Sequence, residues 1–290
     1  MSLPDPVVRL PTSRRGWAAL IRELGVRPAK SLGQNFLFER GVVQRMVKQA
    51  GVGPHDLVLE IGPGLGILTS ELLRAAQRIV AIELDPTLAA HLLRTFGDDP
   101  RFALIEGDAL RLDLGALLPP GELYMVVANL PYSAGAAMVR HLLETPHPPR
   151  RIAVMLQLEV AERLTAAPPH MSVLGVAVQF YAETRIAFQV APSVFIPPPS
   201  VESAVVILDV RAQPLLPPEQ RSLFFRIVNA GFRQKRKQVA NSLAAELGLP
   251  KAEVSAWLRD VNIDPMRRAQ TLSVAEWAAL TRAAPDALVS

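Results

Sequence analysis

Where the apolar run LYMVVA ends, the chain reads Asn129-Leu130-Pro131-Tyr132. A side-chain amide, a residue with no backbone N–H and an aromatic ring fall within four positions. The Asn129 side-chain oxygen and the carbonyl of Leu130 or Pro131 supply two acceptors, and the Tyr132 ring supplies a stacking face. Such a set suits the exocyclic amino group of a nucleobase. That nitrogen is a weak nucleophile because its lone pair is delocalised into the ring. Two acceptors on its hydrogens let the lone pair localise toward a methyl donor, and positioning with charge distribution supplies most of the rate. The base must leave its stack to reach such a clamp. The competing reading is a plain strand end and turn, because Pro131 cannot donate to a sheet ladder and draws Leu130 out of the helical region.

Three other strand ends carry residues of matching use. The first is Glu60-Ile61-Gly62-Pro63-Gly64-Leu65-Gly66. Its alternating glycines let backbone pass close to a ligand and lead into a helix whose positive end faces it. A tight strand-to-helix turn would use the same residues. Glu83 lies 21 residues after Gly62, near the offset at which a carboxylate accepts from ribose hydroxyls. Its alternative is a surface charge near a helix start. Asp108 ends a third strand, where it would accept from an adenine amino group or cap the next turn. Together they outline an adenosine pocket. The turn is G-P-G-L-G, not the dinucleotide G-x-G-x-x-G, and no second mononucleotide half follows, which disfavours a nicotinamide cofactor. A sulfonium donor, already activated, fits a site with no thiolate or histidine cluster.

The elements that position these residues alternate. LVLEI (57–61), RIVAIE (78–83), FALIEGD (102–108), LYMVVAN (123–129) and RIAVMLQ (151–157) are short apolar runs. Helical spacing lies between them in GILTSELLRAAQ and PTLAAHLLRTF and near 133–144, and follows the last of them at 159–166. This rhythm predicts an α/β fold, a mostly parallel, doubly wound sheet with helices on both faces. VAVQFYAE (176–183) and VESAVVILDV (201–210) read as later strands. Beyond VRAQPLLPPEQ the pattern is helical to the end.

The chain has 290 residues, half of them apolar, enough to bury a core and a smaller appendage. Zero cysteines exclude disulfides and thiolate catalysis, and five scattered histidines suggest no metal site. No apolar run approaches the roughly 18 to 20 residues of a membrane span, and the first residues lack a signal-peptide core, so a cytoplasmic protein without a membrane partner is expected. Residues 1–40 carry net +4, residues 41–195 net −3 and residues 196–290 net +3. Basic ends around an acidic middle suit a catalytic body held on a polyanion, although solvated helix faces give the same totals.

KSLGQNFL (30–37), LEIGPGLGILT (59–69), IELD (82–85), GDAL (107–110), ANLPY (128–132), MLQLEVAERL (155–164), FIPPPSVESAVV (195–206) and FRQKRKQVANSL (232–243) occur in this order. In order and spacing the set resembles the ribosomal RNA adenine dimethyltransferases, most closely the small-subunit enzymes, over residues 30–272. The resemblance implies a Rossmann-like class I methyltransferase that uses S-adenosyl-L-methionine and releases S-adenosyl-L-homocysteine. The reaction would be N6,N6-dimethylation of two adjacent adenosines in the 3′-terminal hairpin loop of 16S ribosomal RNA, late in small-subunit assembly. It implies that Gln34, Asn35 and Leu37 line the cofactor pocket with Gly62, Gly64, Glu83 and Asp108, and that Asn129 borders it. Asn129, Leu130, Pro131 and Tyr132 would hold the target base, with Phe195 on its other face; core packing is the plain alternative for Phe195.

Residues 221–240 contain six Lys and Arg and no acid. Arg233, Lys235, Arg236 and Lys237 would meet RNA phosphates, unless they form only a solvated helix. Leu158 stands where the family usually has Lys, and MSVLG (171–175) replaces its Tyr-Gly-x-Leu-Ser; both bear on RNA contacts at the rim. The expected domains are a basic N-terminal segment closing over the cofactor (1–40), the methyltransferase body (41–212) and a helical RNA-binding domain (213–290). Nothing requires more than a monomer, with the small ribosomal subunit as partner. Two alternatives stay open: a large-subunit adenine methyltransferase conferring macrolide resistance, and a non-catalytic RNA-binding assembly factor on the same fold.

Overall fold

The structure, a computed structural model, describes residues 10–26, 35–114, 116–119, 121–234 and 236–288. Gln34 and Lys235 lie outside the described residues. The described chain opens with helix α1 (Arg14–Glu23), the two-residue strand β1 (Phe36–Leu37) and helix α2 (Arg40–Ala50). The alternating part follows as β2 (Leu57–Ile61), α3 (Ile67–Ala75), β3 (Arg78–Glu83), α4 (Pro86–Phe96), β4 (Phe102–Glu106), β5 (Tyr124–Asn129), α5 (Gly135–Glu144) and β6 (Arg151–Gln157). Then come α6 (Leu158–Thr165), α7 (Val173–Tyr181), β7 (Ala182–Val190), β8 (Phe195–Ile196) and β9 (Ser203–Val210).

The large sheet has seven strands in the order β4-β3-β2-β5-β6-β9-β7. The pairs from β4 through β6 are parallel, and β9 runs antiparallel to β6. Continuous burial is why β2 needs no alternation: all five of its residues are buried, as parallel strands covered on both faces require. Strand order reverses between β2 and β5, so the crevice beyond their carboxyl ends is where a ligand belongs. A second, two-stranded ribbon pairs β1 with β8, setting Leu37 opposite Phe195.

The chain divides into two compact units: Met1–Ala161 with Thr184–Val210, and Glu162–Glu183 with Arg211–Ser290. In the first unit, α1 is capped by Ser13, whose hydroxyl accepts from Gly16 N at 3.2 Å, and it sinks Trp17 and Ile21 into the core. Part of the basic N-terminal segment is therefore core structure.

In the second unit, α8 (Pro218–Phe232), α9 (Val239–Leu247), α10 (Lys251–Asp260) and α11 (Val274–Arg282) follow one another. This unit also takes in residues 162–183, which sequence assigned to the body. The reason is aromatic: the Phe180 ring lies 4.5 Å from Phe224 and 5.5 Å from Phe225. VAVQFYAE is accordingly helix α7 through Tyr181, and a strand only from Ala182. Ser172 starts that helix by accepting from Gly175 N at 3.0 Å. Packing of an apolar helix outweighs the strand preference of its valines and aromatics.

Candidate active site at the carboxyl ends of the parallel strands

One cleft gathers most of the residues singled out above. Asn35 and Leu37 reach it from the N-terminal ribbon, Gly62 and Gly64 from the turn after β2, and Glu83 from the end of β3. Asn129 through Tyr132 reach it from the end of β5, and Phe195 from β8. The glycine turn is possible only with glycine. Gly62, Gly64 and Gly66 have φ of +66°, +58° and +84°, and a Cβ on Gly66 would stand 2.5 Å from the Phe96 ring.

Glu83 does more than wait for a ligand. Its Oε2 accepts from Gly64 N at 3.0 Å, and its Oε1 accepts from Leu84 N and Asp85 N, each at 3.0 Å. The carboxylate thus ties the glycine turn to the end of β3, and three of its roughly four lone-pair positions are used. Burial still raises its pKa, against the lowering effect of these three amides. Asp108 is not among the cleft-lining residues. It lies two residues past β4, next to Gly107, whose N–H donates to the Glu83 carbonyl at 2.9 Å. Its own carboxylate accepts from Leu110 N at 3.0 Å and meets Arg111 at 3.3 Å, which is the capping alternative.

At the end of β5 the structure separates the two candidate carbonyls. Pro131 O accepts from Ala134 N at 3.0 Å, whereas Leu130 O carries no such bond among the described residues. The Asn129 side chain is likewise without a bonded partner among them and is half-buried. Asn129 and Leu130 thus hold the two acceptors that remain open. Phe195 touches the cleft but is fully covered, with its ring in the hydrophobic core. Its packing role is what this arrangement displays.

The residue that sequence reasoning passed over is Glu60. It lines the cleft, is 1% exposed, and accepts from Thr69 Oγ1 at 2.7 Å through one oxygen. Its other oxygen is buried with no partner in the described structure. Burial, with a smaller contribution from Glu83, pushes its pKa from 4.5 up to about 8. A glutamate inside an otherwise apolar strand was the available signal.

A model of the ribosomal RNA adenine dimethylase family matches residues 26–281. The chain belongs to this family. It is 40% identical over 274 residues to the ribosomal RNA small subunit methyltransferase A of Moorella thermoacetica, covering 91% of this chain and 95% of that one. It is 40% identical over 266 residues to the protein of the same name from Clostridium perfringens strain SM101, covering 91% and 93%. Among solved structures, the 23S rRNA methyltransferase ErmE aligns with a TM-score of 0.71 at 28% identity, over 86% of this chain and 99% of that one. A dimethyladenosine transferase from Plasmodium falciparum aligns at 0.72 and 21% identity, over 84% and 95%, a likeness of fold.

The described basic residues of this dimethylase's motif lie on a turn and not on a helix face. Arg233, Arg236 and Lys237 are exposed between α8 and α9, and no ion pair involves them among the described residues. The turn is held from below: Lys237 N donates to Gln234 O at 2.9 Å and Val239 N to Arg267 O at 2.7 Å. Arg267 is itself paired with Glu276.

The Glu60 carboxyl predicts a pH dependence. Its folded pKa lies above its unfolded value, so its contribution to stability is full below pH 4.5 and is lost as pH rises through about 8. Glu60→Gln should flatten this slope, by at most about 1.4 kcal/mol per pH unit. Urea unfolding of both proteins from pH 5 to 9 measures it, and parallel curves would show that Glu60 ionises normally.

Proposed function

We propose that this chain dimethylates the N6 amino groups of two adjacent adenosines of small-subunit (16S) ribosomal RNA, using S-adenosyl-L-methionine. Family membership supports adenine dimethylation, and the small-subunit relatives at 40% identity support the choice of RNA. The observation that carries the cofactor is the charge of the cleft. It contains two buried acidic side chains, Glu83 and Glu60, the latter mostly protonated near neutral pH with its pKa pushed up to about 8, and no basic side chain among its described lining residues. A pyrophosphate would find no counter-charge there, whereas a cationic sulfonium or ammonium compound is attracted by ionised Glu83 and favours ionisation of Glu60. Calorimetric titration with S-adenosyl-L-methionine and, separately, with NAD tests this; binding of NAD alone would overturn it.

When bound, S-adenosyl-L-methionine supplies a methyl group on a sulfonium, activated for direct in-line attack. Gly62 and Gly64 let the backbone approach the methionine part, with Asn35 and Leu37 facing them. Glu83 accepts one ribose hydroxyl through its remaining lone pair, and a second only by releasing an amide. Asp108, beside Gly107, is assigned to the adenine amino group. Asn129 Oδ1 and Leu130 O accept the two hydrogens of the target amino group and orient its lone pair. Tyr132 stacks on the base, and Phe195 forms the covered wall behind it. After transfer the nitrogen loses one of its two protons to solvent, and the single N–H that remains on the monomethylated nitrogen is held by one acceptor of the clamp for a second turn, after which that proton is lost in the same way.

The basic turn supplies RNA affinity. Arg236→Ala and Lys237→Ala should each weaken binding to unmethylated small subunits and reduce the slope of log affinity against log salt by about 1. Cofactor affinity should stay unchanged. A salt slope equal to that of the unaltered protein would remove the turn from the RNA surface.

A further inference from the structure

The Tyr132 hydroxyl does not face open solvent. It lies 2.6 Å from Ser203 Oγ, although the two residues are 71 positions apart. Ser203 is completely buried and is the first residue of β9, opposite Gln157 of β6 in the antiparallel register. Just beyond that pair, Leu158 N donates to Glu202 O at 2.9 Å and secures the strand end. The serine is thus buried in a paired strand, and its hydroxyl bonds the Tyr132 phenol. Tyr132 is half-buried in the cleft wall, and the turn that carries it is closed by the Pro131 to Ala134 bond.

We propose that Ser203 is a positioning residue for methyl transfer: its hydroxyl tethers Tyr132 so that the ring stands ready to stack on the incoming adenine. The inference rests on the base clamp proposed above and adds a residue to it. A tyrosine at a strand end has two soft torsions, and a target base already out of its stack must not wait for the ring to settle. Fixing the phenol to a buried strand removes that freedom before the base arrives, which is preorganisation of a binding surface. The tether also spends the phenol on the protein. Burial raises the Tyr132 pKa, so the hydroxyl stays neutral, in keeping with a stacking and not a proton-transfer role.

The test is a double-mutant cycle with single-turnover methyl transfer to unmethylated small subunits. Ser203→Ala and Tyr132→Phe should each slow transfer by up to about tenfold, the net worth of one hydrogen bond. The double variant should fall no further than the slower single variant. The dissociation constant for S-adenosyl-L-methionine should be unchanged in all three. In parallel, a synthetic hairpin with 2-aminopurine at the target position should be quenched by stacking in the unaltered protein and less so in Ser203→Ala. Multiplying losses, unaltered rates, or a loss of cofactor affinity that tracks the loss of turnover would each overturn the tether. If the unaltered protein itself transfers no methyl group, the base clamp fails instead, which the same experiment reads separately.

Discussion

Asn129→Ala leaves the affinity for S-adenosyl-L-methionine within about twofold and lowers methyl transfer by roughly 10²- to 10³-fold, the loss typical of removing one preorganised polar group from a charge-developing site. The asymmetry follows from geometry. Asn129 ends β5 with its side chain unbonded among the described residues, so deletion of the amide breaks no internal network. The glycine turn and Glu83, which line the cleft and are proposed to hold the cofactor, are held by bonds that do not involve it. What disappears is one of the two acceptors proposed for the amino group, and the remaining one, Leu130 O, would not fix the lone pair direction alone. Equilibrium dialysis beside single-turnover kinetics separates the two effects. Turnover equal to that of the unaltered protein would eliminate the clamp, and a matching collapse of cofactor affinity would place Asn129 in the cofactor site only.

The second large effect belongs to Glu83. In the cofactor site proposed above, Glu83→Ala would remove the acceptor for a ribose hydroxyl, and it also releases Gly64 N, Leu84 N and Asp85 N. Hydrogen bonds to a charged group are worth about 1.5–3 kcal/mol each. Loss of one alone therefore weakens cofactor binding by about ten- to 150-fold. Glu83→Gln should recover little, because the amide would set an N–H donor against Gly64 N–H. An unaltered dissociation constant in both variants would remove Glu83 from the cofactor site. Because burial raises the Glu83 pKa, the affinity it confers should also decline at acid pH, where the carboxyl becomes protonated.

Much of this was legible because it rests on local rules. The runs at 57–61, 78–83 and 151–157 became strands with those bounds, since fully covered parallel strands need only apolar side chains. FALIEGD stopped two residues early, at Glu106, because Asp108 turns the chain through its own side chain. The cleft residues were legible for a related reason. In a doubly wound sheet the residue just past each strand faces the crevice, which placed Glu83 and Asn129 from sequence position alone.

The rest depends on tertiary partners. The helix at 173–181 has apolar residues nearly all round and no period to read, and Phe224, which decides its fate, lies more than forty positions away. The ribbon of β1 and β8 is two residues long on each side, too short for any pattern. Phe195, readable from sequence as a base-stacking ring or a core ring, both lines the cleft and is covered within the core in this structure. Glu60 was hidden as one letter in a strand, although its partner Thr69 is only nine residues on. Ser203 carried no signal, since its meaning is a hydroxyl 2.6 Å from a ring at the far side of the sequence.

Methyl transfer to adenine N6 in the small subunit can be read from one labelling experiment. Transfer of tritiated methyl from S-adenosyl-L-methionine to unmethylated small subunits, with large-subunit RNA in parallel and nucleoside analysis of the products, tests it directly. N6,N6-dimethyladenosine in the small subunit and no label in large-subunit RNA is the predicted result. Label in large-subunit RNA alone, or no label in either despite measurable cofactor binding, would contradict it.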